Sequence, residues 1–286
     1  MNRHPHILVT GATGNTGGAL AAILSEQGVP VRAASRSGQP GSGDRTLITS
    51  VTFDWHDPST YEQVLQGIDR MYLVPPTGVL DSVPVMMPFL TQARAAGVRR
   101  VVLLSATVIE RGDSGLGQIH DALPDLFPEW AVLRPSWFMQ NFAGAHPHSH
   151  SIREEHLIRT ATGSGRVAFI DARDIARTAA HALLSELPLN RDLLLTGPET
   201  LSYEDIARII SSVRTSPVQH QQVSVQELEQ IHIDSGLPAA FAHMLAQADQ
   251  WIAAGAEDRI TGEVEAMTGT PPTSFADFAA RHWFKG

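Results

Sequence analysis

Through the first 135 residues, short apolar runs alternate with stretches whose apolar positions recur at helical spacing. The runs HILVT (6–10), VRAAS (31–35), SVTFD (50–54), RMYLV (70–74), RVVLLSA (100–106) and WAVLR (130–134) are β-rich and nearly continuous in apolar residues. That is the pattern of strands covered on both faces. Between them the spacing predicts helices near 16–27, 59–67, 83–96 and 116–127, with Pro58-Ser59 and Pro84 marking helix starts. Such alternation calls for a parallel sheet with crossover helices. The predicted fold class is therefore α/β, a Rossmann-type doubly wound parallel sheet.

After about residue 135 the rhythm loosens. The loop AGAHPHSHS (143–151) leads to a helix, a strand RVAFI (166–170), a helix from about Asp174, a strand DLLLT (192–196) and then mostly helix. This predicts one unit over 1–286: a core over 1–135, completed by strands near 166–170 and 192–196, and a smaller, mainly helical C-terminal lobe over 136–165 and 200–286. No internal repeat is visible, and Gly38 to Gly43 is the richest stretch in Gly, Ser and Pro.

Gly11, Gly14 and Gly17 form G-x-x-G-x-x-G directly after the first strand and at the start of a helix. The first glycine permits the tight turn, the second lets backbone approach a pyrophosphate, and the third lets helix and strand pack closely. The helix start adds unpaired N–H donors and a positive dipole end. The cradle is expected to include Thr10, Thr13, Asn15 and Thr16. Beyond the second strand stands Ser35-Arg36-Ser37, with no acid until Asp44. An Arg there accommodates a 2′-phosphate, so Arg36 points to NADP(H); Arg32 is the weaker alternative, because strand alternation could aim it elsewhere. Asp54 and Trp55, ending the third strand, are placed to meet the adenine edge, although an acid there can also serve as a helix cap.

Composition narrows the chemistry. The chain has no cysteine, which removes disulfides, thiolate nucleophiles and Cys-based metal sites. Its single lysine is Lys285, so no chemistry that requires an internal lysine is available. The formal charge is −9, and residues 220–286 hold nine acids against three bases, six of those nine excess negative charges. An acidic chain offers no face for nucleic acid. No apolar run reaches the ~20 residues of a membrane span, and the start MNRHPH shows no apolar leader, so a cytoplasmic location and no membrane partner are expected.

Together these residues identify a family resemblance. ILVTGATGNTG, VRAASR, VTFDWHDPSTY, RMYLVPP, RRVVLLSA, AVLRPSWFMQNF, TGSGRVAFIDARDIAR, LLLTGPETLSYEDIA and GAEDRITGEVEAMTGTPPTSFADFA resemble the NmrA-like branch of the atypical short-chain dehydrogenase/reductases. Within it they are similar to the festuclavine dehydrogenase-like reductases of ergot alkaloid pathways and their bacterial relatives. The resemblance implies that Val74, Pro75, Pro76, Ser105 and Pro135 complete the NADP(H) site. It further implies a substrate pocket of Trp137, Phe138, Met139, Asn141 and His146 for a hydrophobic or cationic small molecule; the plainer alternative is that Trp137-Phe138-Met139 packs a core.

Orthodox short-chain dehydrogenases pair a Tyr-x-x-x-Lys with a Ser. Ser105 stands where that serine would be, but Tyr61, Tyr72 and Tyr203 are followed four residues on by Leu65, Pro76 and Ala207. Leu116 and His120 occupy the approximate Tyr and Lys places, which makes His120 the candidate proton donor beside Ser105, against the plainer role of a structural histidine. His146, His148 and His150, with His156 downstream, lack neighbouring acids and read as a polar loop rather than a metal site, so no metal is expected. Glu154 and Glu155 read as a solvated face.

Of three functions the first is favoured, because the C-terminal lobe segments resemble those of the reductase-type relatives and the acidic chain offers nothing tailored to nucleic acid. The first is an NADPH-dependent reductase delivering hydride to an electron-poor C=N, activated C=C or quinone-type acceptor without a Tyr/Lys relay. The others are an NADP-binding redox sensor without catalysis and a cyclase or isomerase that uses the cofactor as a template. Oligomeric state is not legible.

Overall fold

The structure, a computed structural model, describes residues 6–39 and 46–283. Residues 40–43 of the Gly/Ser/Pro-rich stretch, Asp44 and Lys285 lie outside the described residues. In chain order the elements are β1 (Ile7–Thr10), α1 (Asn15–Glu26), β2 (Val31–Ser35), β3 (Ile48–Thr52), α2 (Tyr61–Leu65), β4 (Arg70–Leu73), α3 (Val83–Ala95), β5 (Arg100–Leu104), α4 (Leu116–Leu126) and β6 (Glu129–Pro135). There follow α5 (Pro147–Glu154), β7 (Leu157–Thr160), β8 (Arg166–Val167), α6 (Ala172–Leu184), β9 (Arg191–Leu195), β10 (Leu201–Ser202), α7 (Tyr203–Val213) and β11 (Gln219–Gln222). The chain closes with α8 (Val225–Asp234), α9 (Ala239–Ala253), α10 (Glu263–Thr268) and α11 (Phe275–Trp283).

Two compact units result. The first takes the chain up to Pro135, Ala172–Leu195 and Glu263–Gly269. Its seven strands lie in the order β3-β2-β1-β4-β5-β6-β9, all parallel. The order reverses between β1 and β4, the point at which a doubly wound sheet opens a crevice beyond its strand ends. Strand alternation sends Leu8, Met71, Leu73, Val101, Leu103 and Val132 to one face, where Phe89 and Leu90 of α3 and Ile119 and Leu123 of α4 cover them. The other face is closed by α1 and α6, which pack on each other. Arg100, 2 % exposed, holds the end of α6: its Nη1 donates to the carbonyls of Leu183 (3.1 Å) and Ser185 (2.6 Å) while its Nε donates to Glu129 (2.7 Å). This satisfies carbonyls that a helix end leaves open.

The second unit comprises Ser136–Asp171, Thr196–Gly262 and the described residues from Thr270 on. Two small sheets, β10 antiparallel to β8 and β11 parallel to β7, are joined by α5, α7, α8, α9 and α11. Its core is aromatic, with Phe142 5.2 Å from Phe169 and 5.4 Å from Phe275, ring centre to ring centre.

The expected run 166–170 does not complete the large sheet. Only Arg166–Val167 pairs, with β10; beyond it Ala168 O accepts from Gly197 N, and Ile170 bridges Phe138. The last strand of the large sheet is β9. Conversely, α10 falls in the first unit rather than the lobe, held by a two-pronged ion pair from Arg191 on β9 to Glu263 (2.8 Å for each bond). A charge pair 72 residues apart leaves no trace in local periodicity.

Candidate functional site

The strand order reversal and the glycine turn meet at one place. Gly11 has φ +61°, and a Cβ there would lie 2.9 Å from Val74 Cβ. At Gly17 a Cβ would lie 2.4 Å from the carbonyl oxygen of Gly11, so only glycine lets α1 sit this close to the turn. Gly14 is the N-cap of α1, with no side-chain cap and no acid in the first turn. A helix start with open N–H groups and a positive dipole end fits an anionic group. Thr13, Gly14 and Asn15 are exposed and Gly11 half-buried, whereas Thr10, Thr16 and Gly17 are buried within the turn.

A cavity of about 360 Å³ opens here, lined by Gly11, Thr13 and Gly14, by Ala34 and Ser35 at the end of β2 and Arg36 just after it, by Phe53 to His56 after β3, and by Val74 to Thr77 after β4. Its frame is a hydrogen-bond network. Val74 N donates to Thr10 Oγ1 (2.8 Å), and the indole Nε1 of Trp55 donates to Val74 O (3.1 Å). Tyr61 Oη donates to Trp55 O (2.6 Å), and Trp55 packs edge-on against Phe53 and Phe89. Thr10 is thus a fastener of the turn, its hydroxyl turned to β4.

The two arginine candidates separate. Arg32 Nη1 donates to the carbonyls of Gln63 (3.4 Å), Val64 (3.0 Å) and Gln66 (2.7 Å), which fastens the end of α2. Arg36 is exposed and lines the cavity. Asp54 also lines it, with one oxygen accepting from His56 N (2.9 Å); the cap of the turn Pro58–Thr60 is Asp57. Ala34, Ser35, Phe53, His56 and Thr77 were not among the sequence candidates, yet each adjoins one or stands at the end of a strand that carries one. Strand-end position was the available signal.

Ser105 follows β5, its N donating to Leu133 O (2.7 Å) and its hydroxyl buried without a partner among the described residues. Pro135, the last residue of β6, accepts from Thr107 N (3.0 Å). An orphaned hydroxyl, an uncapped helix start and a glycine cradle are all compatible with a dinucleotide. His120 is not brought to this cavity. It is 2 % exposed on the inner side of α4, 5.9 Å from the Trp130 ring, with Nδ1 buried and unpartnered among the described residues. Burial, partly opposed by Asp192, holds its imidazole below the usual histidine range.

The candidates after β6 belong to the second unit. Met139 is 1 % exposed in the aromatic core, and Trp137 packs on that core, while Phe138 is half-buried in its bridge to Ile170. Asn141 N donates to Phe138 O (3.1 Å). His146 is the N-cap of α5: its Nδ1 accepts from His148 N (3.2 Å), and its ring also bonds the Asn141 backbone. Among the described residues no group of three or more His, Asp or Glu is placed to hold a metal ion, and no helix is long and apolar enough to cross a membrane.

Comparison with known proteins gives the site its context. Residues 11–127 match the NAD(P)H-binding family model and residues 129–279 the NmrA-like family model. The chain is 42 % identical to an uncharacterized oxidoreductase, YesF, of Bacillus subtilis, covering 99 % of this chain and 96 % of that one. It is 38 % identical to agroclavine dehydrogenase of Claviceps fusiformis, over 96 % of both chains. In fold it is similar to the Citrobacter sp. triphenylmethane reductase complexed with NADP(H), with TM-score 0.76, 22 % identity, and 96 % and 99 % of the two chains covered. Fold, cradle and relatives define the class as NAD(P)H-dependent oxidoreductase. Within that class, the chain belongs to the NmrA-like family.

Proposed function

We propose that the protein is an NADPH-preferring reductase that delivers hydride to an electron-poor C=N, activated C=C or quinone-type small molecule without a tyrosine–lysine proton relay. The observation that carries the cofactor preference is the division of labour between the arginines: Arg32 is spent on α2, and Arg36, exposed and with no side-chain partner among the described residues, lines the cavity wall beside Ser35. In this reading Arg36 pairs with the 2′-phosphate as a bidentate fork, and Gly11, Gly14 and the start of α1 receive the pyrophosphate.

The absence of a relay is supported by where the phenols lie. Tyr61, Tyr72 and Tyr203 are each at most 2 % exposed, and burial pushes all three above the ordinary tyrosine range. Phenols so buried favour an acceptor that needs little protonation, for which positioning supplies most of the acceleration. The bound dinucleotide supplies the hydride; the chain binds it, orients it and shields it from water. A relative named agroclavine dehydrogenase, at 38 % identity, supports a small-molecule acceptor.

The test is titration with NADPH, NADH, NADP+ and NAD+, then a panel of iminium salts, enones and quinones followed by loss of reduced-nicotinamide absorbance. Oxidation of NADPH by at least one acceptor, with NADPH favoured over NADH, is the expected result. Tighter binding of NADP+ than NADPH with no acceptor reduced replaces this reading by a sensor. Product formation without NADPH loss replaces it by a templated isomerase or cyclase.

A further inference from the structure

The carboxyl end of β5 carries Ser105, whose buried hydroxyl has no partner among the described residues. In the β4–β5 register Leu73 sits beside Leu103; continuing it sets Ser105 beside Pro75, a residue of the cavity wall. The segment that follows Ser105 leaves the sheet, and its backbone touches β6 through Thr107 N to Pro135 O (3.0 Å). It then turns at 110–113, where Glu110 N donates to Asp113 Oδ2 (2.7 Å).

One side chain grips this segment from below. Arg134 on β6 donates through Nη2 to Thr107 O (3.0 Å) and to Glu110 Oε1, and through Nη1 to Asp192 Oδ2 on β9 (2.9 Å). Its side chain is only 5 % exposed, while that of Glu110 is 65 % exposed. Burial works against the Arg134 charge, but the bonds to Glu110 and Asp192 outweigh it and raise its pKa. A planar fork reaching acceptors on two sides is a task that lysine, a single point of charge, does not reproduce. A sheet in need of one stabilising ion pair requires only Asp192; the grip on Thr107 and Glu110 serves the segment that leaves Ser105.

We propose that Arg134 is a positioning residue, which by holding Thr107 and Glu110 fixes the segment that carries Ser105 and so places the Ser105 hydroxyl at the nicotinamide end of the bound dinucleotide. The inference deepens the reductase reading and rests on it. The loop prong (Glu110) and the sheet prong (Asp192) then differ in consequence, which a general contribution to stability does not predict.

The test compares wild type with Arg134→Met, Glu110→Gln, Asp192→Asn and Ser105→Ala, using NADPH as probe. Three quantities are read: the NADPH Kd, the emission of bound NADPH, which reports how the nicotinamide ring is held, and kcat with the best acceptor. Arg134→Met and Glu110→Gln are expected to keep the Kd within about threefold, since the phosphate cradle lies at β1 to β4. Their bound-NADPH emission shifts toward that of Ser105→Ala, and kcat falls roughly ten- to a hundredfold. Asp192→Asn lowers the thermal midpoint and leaves the emission as in wild type. Wild-type emission in both Arg134→Met and Glu110→Gln overturns the proposal, and so does an Asp192→Asn shift as large as that of Glu110→Gln. Should Arg134→Met fail to fold, Glu110→Gln, altered at an exposed carboxylate, decides alone. The emission arm needs no acceptor, so a wild type that reduces nothing sinks the reductase reading without deciding this one.

Discussion

The indole N–H of Trp55 reaches the carbonyl of Val74 at 3.1 Å, joining the end of β3 to the end of β4 over the two strands, β2 and β1, that lie between them. Thr10, at the end of β1, binds the same residue through Val74 N. The width of the cavity is therefore fixed by three side-chain bonds, those of Thr10, Trp55 and Tyr61.

Trp55→Phe isolates the N–H. Phenylalanine retains ring contacts with Phe53 and Phe89 and leaves the Val74 carbonyl, among the described residues, with only the long Thr10 hydroxyl contact (3.5 Å). A stability loss of about 1–2 kcal/mol in urea titration is expected. NADPH binding should weaken by several-fold to about tenfold, equivalent to about 1.4 kcal/mol. Unchanged NADPH affinity would show that the cavity does not depend on this bond.

Gly17→Ala and Gly14→Ala separate packing from binding. At Gly17 the new methyl meets backbone on two sides, Gly11 O at 2.4 Å and Thr10 O at 2.9 Å, so α1 must move and about 1–3 kcal/mol of stability is lost. At Gly14 the nearest atom is 3.2 Å away and the methyl points into open cradle. Near-normal thermal stability with at least tenfold weaker NADPH binding is expected there. Equal losses of stability in both variants would contradict this division.

Arg36→Ala and Arg32→Ala should also part company. Removing Arg36 is expected to cut the NADPH over NADH preference by roughly ten- to a hundredfold, the worth of a charge-assisted fork of about 1.5–3 kcal/mol. Removing Arg32 frees three carbonyls at the end of α2 and should lower stability with the preference intact. The kcat/KM ratio for the two reduced cofactors is the measurement, and a preference that follows Arg32 instead refutes the assignment of Arg36.

Why some of this was legible in the sequence and some was not follows from how far each signal reaches. The glycine turn is local: Gly11, Gly14 and Gly17 act within seven residues, and spacing alone discloses them. The apolar runs disclose the strands, although SVTFD slips to Ile48–Thr52 because pairing with β2, Ser35 beside Thr52, sets the register. The choice between Arg32 and Arg36 needs partners some thirty residues away, at Gln63 and Gln66. β11 is the run QHQQ, exposed or half-exposed throughout, and no hydrophobic pattern announces an edge strand held by backbone bonds. His120 looked available because sequence shows its neighbours on the helix, not Trp130 across from it.

The histidine cluster of the second unit gives it an acid weakness. His148 stacks on Phe142 (5.7 Å, 10° between planes) and lies edge-on to Tyr203, and His146 caps α5. Burial lowers His146 to about 4 and His148 to about 3, and His220 and His232 are also held below their ordinary value. Unfolded histidines take up protons near pH 6.5. As pH falls from there toward 4 the unfolded chain binds more protons than the folded one, so stability contributed above pH 6.5 is progressively lost, by at most about 1.4 kcal/mol per pH unit for each such histidine. Asp249 acts in the opposite sense. Burial raises its carboxyl to about 6 despite the bond from Ala161 N, so it favours folding as pH falls through 6. With two strongly lowered histidines against one raised acid, the urea midpoint should drop between pH 6.5 and 5. His148→Phe, which keeps a flat ring against Phe142 and removes the titrating group, should make that drop shallower. Asp249→Asn should make it steeper, by removing the opposing carboxyl. A midpoint that is flat across this range in wild type, or a slope that His148→Phe leaves untouched, would show that these imidazoles are not kept neutral by the fold.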